Sequence, residues 1–189
     1  MLNTAVKIDP FVNGRVSVHP ITSSRVEVRI AGELPIMWPE RFAAALAPKS
    51  ICILRGEAER RGETWTGFFE LDSTQPDDNL REIDYAAILQ SLPSPRQARP
   101  VAILHHGLVR LTNALRLAIQ AEDRQGLLAD MLAKLKHWGL YPKRITIDSE
   151  AGMVTQCFWL TSYGDRDPDL QTERVLREFL NSSRKLRRS

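Results

Sequence analysis

The stretch Asp123-Arg124-Gln125-Gly126-Leu127 is the part of this chain best suited to holding a ligand. A glycine turn leaves backbone N–H groups free just where a helix starts, and those groups carry partial positive charge that attracts a carboxylate. Gly126 also lets a ligand approach the main chain closely, because it has no side chain. The same residues fit a plainer reading, in which Asp123 caps the helix and Gly126 only permits the turn. Other reactive side chains offer less. His105-His106 has no acid or cysteine at ligand spacing, so a loop pair is expected there rather than a metal site. His137 falls at a helix end, where a partly charged imidazole suits the dipole. Cys52 and Cys157 sit in apolar, strand-like runs and read as buried free thiols, with no metal-site spacing. The chain has no phosphate-binding glycine loop, no Gly-x-Ser-x-Gly elbow and no metal quartet. A non-catalytic protein without cofactor or metal is expected.

The elements that must carry this turn are written in the apolar spacing. Leu115, Leu117 and Ile119 alternate as in a strand with one buried face. Leu127, Leu128, Met131, Leu132, Leu135 and Trp138 recur at helical spacing, and Gly139 stands where a left-handed cap ends a helix. Ile145 and Ile147 mark a second strand, Gly152 a turn, and Val154, Phe158 and Leu160 a third. A further helix is expected from about 168 to 181, holding Leu170, Val175, Leu176, Phe179 and Leu180.

From Asp123 to Leu128, through the helix and strands to Phe158-Trp159-Leu160-Thr161, the chain resembles an ACT domain. The resemblance runs roughly from Leu115 to Leu180 and is similar to stand-alone ACT-repeat proteins and to the ACT pair that ends bacterial uridylyltransferases, whose catalytic region has no counterpart here. It implies a small βαββαβ regulatory module, many of which bind amino acids at the seam between two modules. It implies that Asp123 receives a ligand's ammonium, that Gln125, Gly126 and Leu127 offer backbone contacts, and that Arg124 lies in the same site. Many ACT modules serve only in assembly, so a purely structural dimerisation or protein-interaction module is the competing reading.

A fainter copy precedes this module. Shifted by about 89 positions, Val26, Val28 and Ile30 fall on Leu115, Leu117 and Ile119, Phe42 on Met131, Leu46 on Leu135, Ile51 on Leu140, Phe69 on Phe158 and Leu71 on Leu160. The copy departs from the pattern at the turn. It has Pro35-Ile36-Met37-Trp38 and no glycine, and Trp38 would fill the hollow. The predicted architecture is α+β, two tandem ferredoxin-like βαββαβ modules with antiparallel sheets and helices on one face. The expected division is an arm with a possible short strand (1–24, the strand over Arg15 to His19), a degenerate ACT-like module (25–92), a linker and possible closing strand (93–107), an ACT module (108–181) and a basic tail (182–189). A helix is expected from about Leu80 to Leu92, capped by Asp77 or Asp78. One of the runs Val101–Leu104 and Leu108–Leu111 is expected to close the first module. The second would then borrow its fourth strand from Val16–His19 or from a second chain.

The net charge of +3 is mild, and much of the excess lies in Arg184-Lys185-Leu186-Arg187-Arg188. That cluster reads as a solvated terminus rather than a nucleic-acid site, since no aromatic platform interleaves it. Met1 to Pro10 has no long apolar core, and no apolar run approaches the roughly 18 residues of a membrane span. A cytoplasmic protein, forming homo-oligomers and signalling to a regulated protein partner, is the expectation, with a small amino acid as ligand.

Overall fold

The computed structural model describes residues 14–73, 79–90 and 98–183. Eight strands form one antiparallel sheet in the order β1-β2-β4-β3-β7-β8-β6-β5. The first half is β1 (Gly14–Pro20), β2 (Arg25–Glu33), α1 (Trp38–Leu46), β3 (Ile51–Arg61), β4 (Thr64–Ser73) and α2 (Tyr85–Gln90). The second is β5 (Ile103–Leu111), β6 (Ala114–Glu122), α3 (Leu127–His137), β7 (Leu140–Glu150), β8 (Met153–Ser162) and α4 (Leu170–Ser183). The two halves are α+β, ferredoxin-like modules of the kind the sequence pattern implies.

The repeat is carried into detail. Strands β3 and β7, and β4 and β8, begin and end at corresponding positions of the two copies. Each copy also breaks register at the same place, between Ile53 and Arg55 and between Pro142 and Arg144. Pro142 has no N–H to give the ladder, and a bulge is where a sheet tolerates that.

The closing strands differ from the expected assignment. Residues 103–111 form a hairpin with β6 and so belong to the second module, not the first. Residues 14–20 pair with β2 and complete the first module, not the second. Each module therefore runs ββαββα, with the strand that usually comes last placed first. The physical reason is local. Asn113, in the left-handed region with φ 62°, gives the two-residue turn between Leu111 and Ala114, and a hairpin closes with far less chain entropy than a strand returned past a helix. His105 and His106 accordingly lie in β5 rather than in a loop.

Other departures are smaller. The helix expected from Leu80 begins only at Tyr85, where Asp84 accepts a hydrogen bond from the Ala87 N–H (3.0 Å) and caps it. Leu80 is still buried, ahead of the helix, and its carbonyl accepts the Tyr85 hydroxyl bond (2.9 Å). The last helix is shifted to Leu170–Ser183, because Asp169 accepts the Thr172 N–H (2.6 Å) and fixes its start. The arm before Gly14, the candidate caps Asp77 and Asp78, residues 93–97 of the linker and the basic cluster Arg184–Arg188 lie outside the described residues.

One face of the sheet is covered by the helices and holds the core. Val26, Val28, Ile30, Leu115, Leu117, Phe69 and Phe158 are all buried on it. In the first module Trp38 is fully buried, with its ring centroid 5.6–6.1 Å from those of Trp65, Phe69 and Phe42. Gly56 allows that cluster to close, since a Cβ there would stand 2.5 Å from the Phe69 ring. The opposite face is polar. Arg55 pairs with Glu70 (2.6 Å) and Arg144 with Glu57 (2.7 Å), and the Arg144 guanidinium lies 4.8 Å from the Trp159 ring centroid. Among the described residues no helix is long and apolar enough to cross a membrane.

The two modules pair within one chain. Strands β3 and β7 run antiparallel with Glu57 opposite Thr146, and these two residues occupy the same place in the two copies. A pseudo-twofold axis therefore passes between them, the intrachain analogue of an isologous dimer interface. Helices α1 and α3 pack across the same axis, with Lys136 3.3 Å from Glu40.

Candidate functional site

Beside this axis lies a small, solvent-open hollow. The first module contributes Leu46 from the end of α1 and Ile51, Cys52 and Ile53 from the start of β3. The second contributes the whole turn Asp123, Arg124, Gln125, Gly126 and Leu127, with Ile147, Val154 and Gln156 from its strands. All five residues singled out in the sequence thus line one cavity, and its other wall belongs to the other copy.

The turn is closed by its own backbone, with the Leu127 N–H donating to the Arg124 carbonyl at 3.2 Å. Gly126 takes the left-handed conformation (φ 74°, ψ 10°) as N-cap of α3, and among the described residues no side-chain hydrogen bond caps that end. The alternative in which Asp123 caps the helix is therefore not what the structure shows. Asp123 is instead anchored through its own N–H to the Gly152 carbonyl at 2.8 Å, and its side chain is exposed. Its carboxylate still acts on the hollow. The Cys52 thiol is pushed up from its usual pKa first by burial, then by the negative charges of Asp123 and Asp72.

Arg124 lines the hollow, and its guanidinium is engaged by the chain itself. Its guanidinium lies 2.6 Å from the Asp130 carboxylate and donates to the Pro100 carbonyl at 2.9 Å. Arg99 joins them: its N–H meets Asp130 at 3.1 Å, and its guanidinium donates to the Gln125 carbonyl. Arg124 thus holds the turn in shape and ties it to the chain arriving from the first module. Asp130 is the residue that sequence reading missed. It is 1% exposed, and the available signal was its spacing, one acid three residues after Leu127 on the apolar side of α3.

The first copy has lost this arrangement. Met37 stands at the place of Gly126 with φ −104°, so the left-handed turn is absent, and Trp38 at the place of Leu127 packs into the core. His19, His105 and His137 lie apart, on β1, on β5 and at the end of α3. Among the described residues no group of three or more metal-binding side chains comes together. Cys52 and Cys157 are both free thiols and half-buried.

No family model matches this chain, and no curated protein matches it. Among solved structures it is similar to the crystal structure of aspartate kinase from Synechocystis, at 18% sequence identity and a TM-score of 0.46, over 84% of this chain and 27% of that one.

Proposed function

We propose that this protein is a non-catalytic regulatory module that binds a small amino acid in the hollow at its intermodule seam and passes that state to a partner protein. The observation that carries the reading is the meeting of opposite polarities in one cavity. The N-terminus of α3, with no side chain capping it, offers donors to a carboxylate, and Asp123 offers a charge to an ammonium. Leu46, Ile51 and Val154 supply apolar walls between them. A ligand bridging both modules would favour one arrangement of them in proportion to its differential affinity, and a partner reads that arrangement. The degenerate first copy completes the wall and holds no ligand of its own.

A second reading has its own observation. The β3–β7 ladder and the α1–α3 contact join the modules without any ligand, as a purely structural or interaction module would require. A thermal-shift screen against the proteinogenic amino acids separates the two. At a hundred times the dissociation constant a ligand adds about 2.7 kcal/mol, which for a chain of 189 residues is a rise of about 5–10 °C. The shift is expected to be selective and lost in Gly126→Trp, with that variant still folded. No shift at millimolar concentration with any amino acid defeats the ligand reading in favour of the assembly module.

A further inference from the structure

Gln156 stands in the core-facing row of β8, between Val154 and Phe158, where the alternation asks for an apolar side chain. It is 2% exposed, lines the hollow, and its Oε1 has no hydrogen-bond partner among the described residues. A buried amide oxygen without a donor destabilises the empty protein, so such a group calls for an explanation. The first copy sharpens the point. It has Gly67 at the place of Gln156 and Trp65 at the place of Val154, and the latter ring packs against Trp38. The amide occurs only in the copy whose glycine turn opens the hollow.

We propose that Gln156 determines which amino acid the seam takes. Its Oε1 accepts a hydrogen bond from a side-chain hydroxyl or carboxamide of the ligand, so the site selects serine, threonine, asparagine or glutamine over apolar amino acids of the same shape. The inference rests on the amino-acid reading of the hollow and adds the chemistry of the side chain. The charge arrangement decides why the donor is neutral. Asp123 is exposed and can neutralise an ammonium, whereas Gln156 is buried beside Ile147 and Val154 with no charge of its own to offset a buried cation. A neutral hydroxyl or amide satisfies the oxygen without that cost. An apolar ligand would bury the oxygen unpaired, which is the strongest basis for rejecting an isostere.

Calorimetric titration of the full chain with threonine against valine, and asparagine against leucine, tests this. Each pair is close in shape and differs in the donor. The polar member is expected to bind at least tenfold more tightly, equivalent to about 1.4 kcal/mol. Gln156→Met, similar in volume and without the acceptor, is expected to abolish the preference while still binding valine. Equal affinities within each pair in the native chain overturn the proposal, as does a preference that survives in Gln156→Met. The comparison within the native chain stands even if that variant fails to fold. Binding of neither member of either pair, nor of serine or glutamine, overturns the proposal, and overturns the amino-acid reading with it where no other amino acid shifts the melting temperature. Binding of apolar and polar amino acids alike overturns the proposal alone.

Discussion

Replacing Asp130 with asparagine tests whether a buried carboxylate fastens the Asp123–Leu127 turn to the rest of the chain. The side chain of Asp130 is inaccessible, and it holds the Arg124 guanidinium at 2.6 Å and the Arg99 Nε at 3.5 Å. Asparagine keeps an oxygen for the Arg99 N–H but removes the charge that both guanidinium groups share. Breaking a fully buried pair costs about 3–5 kcal/mol. Here the cations recover water, since the Arg99 and Arg124 side chains are 54% and 31% exposed, so a screened value of about 1.5–3 kcal/mol applies. For a chain of this length that lowers the melting temperature by about 3–12 °C. Urea unfolding followed by tryptophan fluorescence gives the free energy directly, with an unchanged m-value showing that the native state stays compact. Asp130→Ala is expected to lose more than Asp130→Asn, because the Arg99 N–H then loses its acceptor as well. An asparagine variant within about 0.5 kcal/mol of the native chain, the size of an ordinary surface change, would refute the view that this charge holds the turn.

Two further changes probe the wall and the core. Trp38→Ala empties a fully buried ring site and is expected to cost about 3–5 kcal/mol in urea unfolding. Trp38→Leu, the residue the second copy carries there, is expected to cost less, and a loss under about 1 kcal/mol for alanine would mean the indole cluster is not the first module's core. Alkylation of Cys52, measured in a Cys157→Ser background, is expected to lag a free thiol at neutral pH. Its pKa is raised by burial and then by Asp123 and Asp72, so the thiolate appears only as pH rises above the ordinary thiol range. In linkage terms the stability from this shift is full below the unfolded thiol pKa and is lost as pH rises through the folded one. Asp123→Asn should move the alkylation profile to lower pH, and an unmoved profile would remove Asp123 from the thiol's surroundings.

The sequence by itself determined the repeat, the β-α-β-β core of each module and the position of the turn. Each rests on a local code: the period of Val26, Val28 and Ile30, the helical spacing of Leu127 to Leu135, and the glycines Gly126 and Gly139, both in the left-handed region. It did not determine which strand closes which module. Residues 16–19 and 108–111 are equally fit to pair with several edges, and only the hairpins at Pro20–Arg25 and Leu111–Ala114 chose their neighbours. The tertiary structure alone decided that the two copies pair within one chain, since β3 and β7 are far apart in sequence and carry no mark of their register. It also decided that Asp130 is an internal clasp and that Gln156 faces a cavity. A polar residue in an apolar stripe looks the same in sequence whether it meets a guanidinium, a ligand or nothing, because its partners come from chain segments distant in sequence.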